Sequence, residues 1–168
     1  AQIPGGPSGG PVVYADGTLV IAGRAKVLMA FTPQGDILWQ APLDATPIGT
    51  PALDAQGRVF VSDMEGHVTA FDAQGNQLWR VEASGTREAT SGPIVSSNGT
   101  IYLTLIDAVS AISPEGVLIW RKTAADVFVA EGIEGRLVDD FSGREIARVG
   151  TSPRVHDFAA FFSARPDI

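Results

Sequence analysis

The sequence predicts an all-β fold, a β-propeller built of four-stranded antiparallel blades. Two observations point there. A unit recurs about every forty residues, and each unit consists of short apolar runs parted by glycine turns. The clearest copy is Val59–Val81, VFVSDMEGHVTAFDAQGNQLWRV. The matching run upstream is LVIAGRAKVLMAFTPQGDILWQA, and the one downstream is IYLTLIDAVSAISPEGVLIWRK. Trp39, Trp79 and Trp120 lie 40 and 41 residues apart. Gly35, Gly75 and Gly116 each precede their Trp by four residues, and Ala30, Ala70 and Ala111 each precede their Gly by five. Pro11, Pro51 and Pro93 open the units, and a turn glycine (Gly17, Gly57 or Gly99) follows six residues later. Several landmarks on one period exclude coincidence.

The chain divides accordingly. Residues 1–10 read as a flexible lead-in, because Gly5–Gly10 is glycine-rich and no helix follows to make it a phosphate loop. Blades then occupy about 11–48, 49–90 and 91–122, with a degraded fourth over 123–150. In the second unit, Pro51–Asp54 is the first strand and Arg58–Ser62 the second. His67–Phe71 is the third, alternating polar and apolar residues as a half-buried strand does. Asp72–Gly75 is a tight turn in which glycine supplies a positive φ, and Asn76–Val81 is the fourth strand. No unit holds an uninterrupted helical period of about ten residues, which excludes a helical repeat. In the fourth unit Gly143–Val149 matches Gly75–Val81, with Ala147 where a Trp is expected, and the opening strand is missing. Gly150–Pro153 resembles Gly49–Pro51. The tail, 151–168, carries Phe158, Phe161 and Phe162 and reads as a closing strand or a partner-docking segment.

Composition agrees with a packed β protein. Apolar residues make up 45% and charged residues 18%, with 19 Gly and 11 Pro to serve many turns. The net charge of -7 disfavours nonspecific nucleic-acid binding, which needs clustered Lys and Arg. The absence of Cys excludes disulfides and thiolate metal sites. No apolar run approaches the ~20 residues of a membrane-spanning helix. The opening Ala-Gln-Ile-Pro is not a signal peptide, and reads as a mature terminus or the cut end of a longer protein.

A lone blade cannot bury both faces, so stacking must supply the core. A Trp fixed in each fourth strand can bury ~150–250 Å² against the next blade. The expectation is that the small Ala and Gly of the neighbour leave room for the indole. Ala70-Phe-Asp72-Ala-Gln-Gly75-Asn-Gln-Leu-Trp79 resembles the tryptophan-docking repeat of the pyrroloquinoline-quinone-like β-propeller family. Ala30–Trp39 and Ala111–Trp120 are similar but weaker copies, with Thr32 and Ser113 in place of Asp72. The resemblance covers roughly residues 11–149. It implies a bacterial, extracytoplasmic setting (periplasmic or secreted) and a family of quinoprotein dehydrogenases, an outer-membrane assembly lipoprotein and non-enzymatic relatives. The turn is one residue shorter than in the dehydrogenases, which favours the non-enzymatic branch. Three blades and part of a fourth are fewer than the family's usual ring, within a general range of roughly four to eight. The chain is then a fragment, a ring completed by another copy or chain, or an open arc on a partner.

Candidate chemistry is sparse. His67 sits near Asp63 and Glu65, a set that could ligate a metal, but reads as a strand histidine after an acidic turn. His156-Asp157 are sequence neighbours, which catalytic partners rarely are. Ser110 and Ser113 lack a nucleophile elbow. Asp140 aligns with the turn residue Asp72, so Asp139-Asp140 is not a calcium pair. Asn98-Gly99-Thr100 fits the glycosylation pattern. No catalytic, cofactor-binding or metal residue is assigned. The resemblance brings no matched quinone clamp and no adjacent-cysteine ring. The expected function is a non-enzymatic scaffold or protein-interaction subunit, with a protein partner or further copies completing the propeller. The alternatives are a fragment of a quinone-dependent dehydrogenase and a carbohydrate- or peptide-binding propeller.

Overall fold

The computed structural model describes residues 2–83 and 88–123, together with the backbone of 135–138 and 145–149. The described residues contain strands and no helix, and the fold is a segment of an all-β propeller. Contacts divide the chain into two units, 1–123 and 124–168.

The first unit holds three four-stranded antiparallel sheets. Strands β1 (Val12–Val13), β2 (Leu19–Gly23), β3 (Val27–Phe31) and β4 (Ile37–Pro42) form the first blade in sequence order. Strands β5 (Pro47–Leu53), β6 (Val59–Asp63), β7 (His67–Phe71) and β8 (Gln77–Glu82) form the second. Strands β9 (Ile94–Val95), β10 (Ile101–Thr104), β11 (Ala108–Ile112) and β12 (Leu118–Thr123) form the third. The first strands β1, β5 and β9 approach one another, while β4, β8 and β12 are the opposite edges.

In the second unit β13 (Gly135–Val138) and β14 (Glu145–Val149) make an antiparallel hairpin. Its register opposes Leu137 to Ala147 and Val138 to Glu145, so Ile146 is an extra residue and Ala147 holds the place of Trp in the other blades. The tail aromatics Phe158, Phe161 and Phe162, with His156, Asp157, Asp139 and Asp140, lie outside the described residues.

The core lies between sheets, as the stacking argument requires. Val20, Ala22, Leu28 and Ala30 of the first blade pack with Val59, Val61 and Phe71 of the second. Phe60, Val68 and Ala70 pack with Ile101, Leu103 and Ile112 of the third. Phe60, Leu28, Ile101 and Leu103 are fully buried, each worth roughly 1.5–3 kcal/mol of transfer free energy.

Two expectations change. Pro51 does not open the second blade, because β5 begins at Pro47, where Pro47 and Ile48 pair with Asp63 and Ser62. The register then slips and resumes at Ala52. Pro51 has no N–H to donate, so it sits in the slip. The lead-in is not a free segment either. Ser8 N–H donates to Ala22 O at 2.9 Å, Arg24 N–H donates to Gly6 O at 2.9 Å, and Pro7 bridges Gly23. Ser8 Oγ also donates to Gly49 O of the next blade at 3.0 Å. Gly9, Gly49 and Gly92 bring the three first strands into backbone contact, since a Cβ on any of them would collide with the neighbouring main chain.

Candidate functional site

Two of the repeated tryptophans, Trp39 and Trp79, lie at seams between blades. Trp39 on β4 donates its Nε1–H to Ala73 O at 3.0 Å, in the β7–β8 turn of the second blade. Trp79 on β8 donates its Nε1–H to Pro114 O at 3.1 Å, in the β11–β12 turn of the third. Each indole lies against the glycine two residues further on. A Cβ on Gly75 would fall 2.6 Å from Trp39 Cε3, and one on Gly116 would fall 2.6 Å from Trp79 Cδ2. These glycines also have φ of 84°, so conformation and space both demand the missing side chain. Gly35 shares the turn conformation, at φ 91°, but a Cβ there meets nothing. Trp120 is 39% exposed and stands 6.0 Å from the ring of Tyr102.

The alanines play a different part from the one expected. Ala30, Ala70 and Ala111 are directly opposite Trp39, Trp79 and Trp120 across their own blade's third and fourth strands. They are fully buried, and the small Ala expected from the neighbouring blade stands instead across from the Trp of its own.

One residue before each Trp the ladder slips. Ala30 pairs with Trp39 but Phe31 pairs with Ile37, leaving Leu38 unpaired. The same slip leaves out Leu78 and Ile119. A bulge of this kind re-aims the adjacent side chain. Here Trp39 and Trp79 turn onto the next blade, while the spare residue of each of the three strands faces water: Leu38 is 52%, Leu78 48% and Ile119 53% exposed. Three apolar side chains at one place in three edge strands are an unusual thing to leave wet.

The turns are closed by side-chain oxygens. Asp72 Oδ1 accepts the N–H groups of Gln74 and Asn76 at 2.9 and 2.8 Å. Thr32 Oγ1 accepts Asp36 N–H at 3.1 Å, and Ser113 Oγ accepts those of Glu115 and Val117 at 3.2 Å. The hydroxyls therefore do the work of the aspartate. Asp72 is partly exposed, and its bonds from Asn76 hold its pKa below the usual aspartate value.

The candidate chemical groups are occupied by structure. Asp63 Oδ1 accepts the N–H groups of Glu65 and His67, and its Oδ2 takes Arg80 at 2.9 Å. His67 Nδ1 is 3.4 Å from Asp63 Oδ1. The His67, Asp63 and Glu65 set is thus an acidic turn facing an arginine, and among the described residues no three His, Asp or Glu group as metal ligands. Ser110 Oγ donates to Ala83 O at 2.7 Å, a buried tie between the second and third blades. Asn98 is exposed in its turn, with Oδ1 accepting Thr100 N–H.

Sequence reasoning missed Arg58. Its Nε donates to the buried Asp54 at 2.7 Å, and its Nη1 donates to Pro114 O at 2.9 Å. Pro114 O thus accepts from both Arg58 and Trp79, while Phe60 sits 5.7 Å from each of those groups. Partners 56 residues apart leave no local signal. Tyr14 was missed too: its hydroxyl donates to Gly57 O of the next blade at 2.8 Å. Burial, followed by the charges of Asp54, Asp72 and Asp16, raises its pKa. Arg58 is paired with Asp54 at 2.7 Å and Arg80 with Asp63 at 2.9 Å.

Between the first two blades lies a cleft of about 440 Å³, walled by Tyr14, Trp39 and Leu38 and rimmed by Asp16, Thr18 and Gln74.

Comparison with known proteins agrees with this architecture. The chain is similar to BamB from Moraxella catarrhalis, at 18% identity and a TM-score of 0.59, over 84% of this chain and 47% of that one. It is similar to quinohemoprotein alcohol dehydrogenase from Comamonas testosteroni, at 20% identity and a TM-score of 0.59, over 70% of this chain and 21% of that one. A protein of unknown function from Bacteroides caccae matches at 15% identity and a TM-score of 0.56, over 86% of this chain and 60% of that one. The chain spans about half the length of the Moraxella protein. No curated protein sequence matches it. The sequence profile described as outer membrane protein assembly factor BamB matches residues 2–161, and the chain belongs to that family.

Proposed function

We propose that this chain is a non-enzymatic propeller scaffold, a protein-binding part of an extracytoplasmic bacterial assembly. One observation carries the reading. The repeated residues that hold the blades together also leave Leu38, Leu78 and Ile119 exposed at one place on successive edge strands. An apolar series on rigid blades is a surface for a protein partner, because shape and burial there need no moving parts. The family description, an outer membrane protein assembly factor, supports a partner and an extracytoplasmic setting.

The test is site-specific photo-crosslinking in the source bacterium, with the reactive group at positions 38, 78 and 119 and a control at the exposed turn residue Gln34. Discrete protein adducts at the three edge positions and none at 34 are expected. Adducts equal at all four positions would overturn the reading. The likeness to a quinohemoprotein alcohol dehydrogenase supports a second reading, a piece of a quinone-dependent dehydrogenase. It predicts dye reduction by alcohols after loading with quinone and calcium, and the scaffold reading predicts none.

A further inference from the structure

The cleft between the first two blades has a character of its own. Tyr14 is tied by its hydroxyl to Gly57 O, and Trp39 by its indole N–H to Ala73 O, so both rings are fixed from the side of the second blade. They and the half-exposed Leu38 line an open depression of about 440 Å³. The rim is acidic. Asp16 is exposed and uses Oδ1 to accept Thr18 N–H at 2.9 Å, while its Oδ2 makes no bond among the described residues. Among the described residues no lysine or arginine lines the space. The nearby Arg58 is held by Asp54 and by Pro114 O. Burial first, and then the charges of Asp54, Asp72 and Asp16, favour the neutral form of Tyr14, and of these carboxylates Asp54 is balanced by Arg58. Asp72, just before the lining residues Ala73 and Gln74, is held ionised by its bonds from Asn76. A carboxylate beside two aromatic rings, with no cation among the lining residues, disfavours phosphate and carboxylate ligands and favours cations.

We propose that this cleft binds a cationic side chain, lysine or arginine, presented by a protein partner, with Tyr14 and Trp39 as aromatic walls and the Asp16 carboxylate as counter-charge. The proposal rests on the partner-binding reading above and gives that partner its chemistry. Leu38 links the two, since it belongs both to the exposed edge series and to the wall of the cleft. A basic residue next to an apolar one on the partner would engage both at once.

The test uses the full chain labelled with ¹⁵N. It is titrated with acetyl-Gly-Lys-Gly-amide and acetyl-Gly-Arg-Gly-amide, and with the uncharged norleucine analogue and methyl glucoside as controls. The readouts are the Trp39 indole N–H and the Gln74 side-chain amide. Saturable shifts with the cationic peptides alone are expected. Asp16→Asn keeps the acceptor for Thr18 N–H and removes the charge, and should weaken binding about five- to tenfold. Glu115→Gln, in the third blade, should leave it unchanged. Four outcomes would overturn the assignment: no shift, equal shifts with norleucine, equal loss in both variants, or tighter binding of the glucoside, which would make the cleft a sugar site. A chain that crosslinks at 38, 78 and 119 but ignores the peptides keeps the scaffold reading and loses the cleft. A chain that binds the peptides but yields no crosslinks keeps the cleft chemistry and loses the scaffold.

Discussion

Trp79 rests on Gly116 so closely that a methyl group on the glycine would fall 2.6 Å from the indole Cδ2. Trp39 and Gly75 repeat the relationship one blade earlier. Each seam joins an aromatic ring, a residue without a side chain and a carbonyl that accepts the ring's N–H. The seam is therefore sensitive from both sides.

From the ring side, Trp79→Ala should destabilise the chain by about 3 kcal/mol, since it removes packing against Phe60 and Gly116 and one donor to Pro114 O. Trp79→Phe should recover part of the loss. Urea denaturation followed by circular dichroism reads both, and a loss under ~1 kcal/mol for the alanine variant would mean the ring does little packing.

From the glycine side, two chemically identical substitutions should separate. Gly35→Ala meets only the cost of a left-handed conformation, about 1–2 kcal/mol. Gly75→Ala meets that cost and drives a methyl into Trp39, adding about 1–3 kcal/mol. Parallel unfolding curves decide it, and equal midpoints would refute the close seat of Trp39.

The arginine that shares Pro114 O gives a third case. Asp54 is buried and Arg58 is its cation. Arg58→Met should cost about 2–4 kcal/mol, because it leaves the carboxylate with backbone N–H partners alone. In Arg58→Met/Asp54→Asn the charge is gone and much of the loss should return. A double-mutant cycle that proves additive would show the two side chains to be uncoupled.

Acid should act through the turns. The Asp72 pKa is lowered on folding, so its contribution is present above the unfolded aspartate value of ~3.9 and is lost as pH falls through the folded value. Carbon-detected titration should place the Asp72 midpoint below that of an unstructured aspartate. Asp72→Asn should flatten the acid limb of stability over the same window. A midpoint at or above the unfolded value would contradict the bonds from Asn76.

The exposed bulge residue should be nearly silent in folding. Leu78→Ser removes a half-exposed side chain that no ladder bond requires, and should change stability by less than about 0.5 kcal/mol. A larger loss in thermal unfolding would mean that Leu78 packs within the blade.

Much of the architecture was legible because it repeats. Trp39 and Trp79, forty residues apart, meet the same kind of turn in the next blade, and the turns Gly75 and Gly116 sit where that reading puts them. The register slip beside Leu38, Leu78 and Ile119 was not legible. Nothing in Leu-Trp says which residue pairs, and the slip exists only relative to Ala30, Ala70 and Ala111 on another strand. Thr32 and Ser113 looked like weak copies of Asp72, yet an oxygen acceptor is all the turn needs, and hydroxyls provide one. The start of β5 was misread because proline looks like a beginning, whereas Pro51 marks an interruption. Arg58, Tyr14 and the cleft depend on main-chain carbonyls of the next blade, which carry no residue identity to read.

The unpaired leucine or isoleucine beside each indole separates two kinds of selection. At Trp39 and Trp79 the neighbour in sequence is locked into the joint, but the spare residue itself is free of the ladder. Drift at 38 and 78 can therefore change the chemistry of the rim, one module at a time, without loosening the stack.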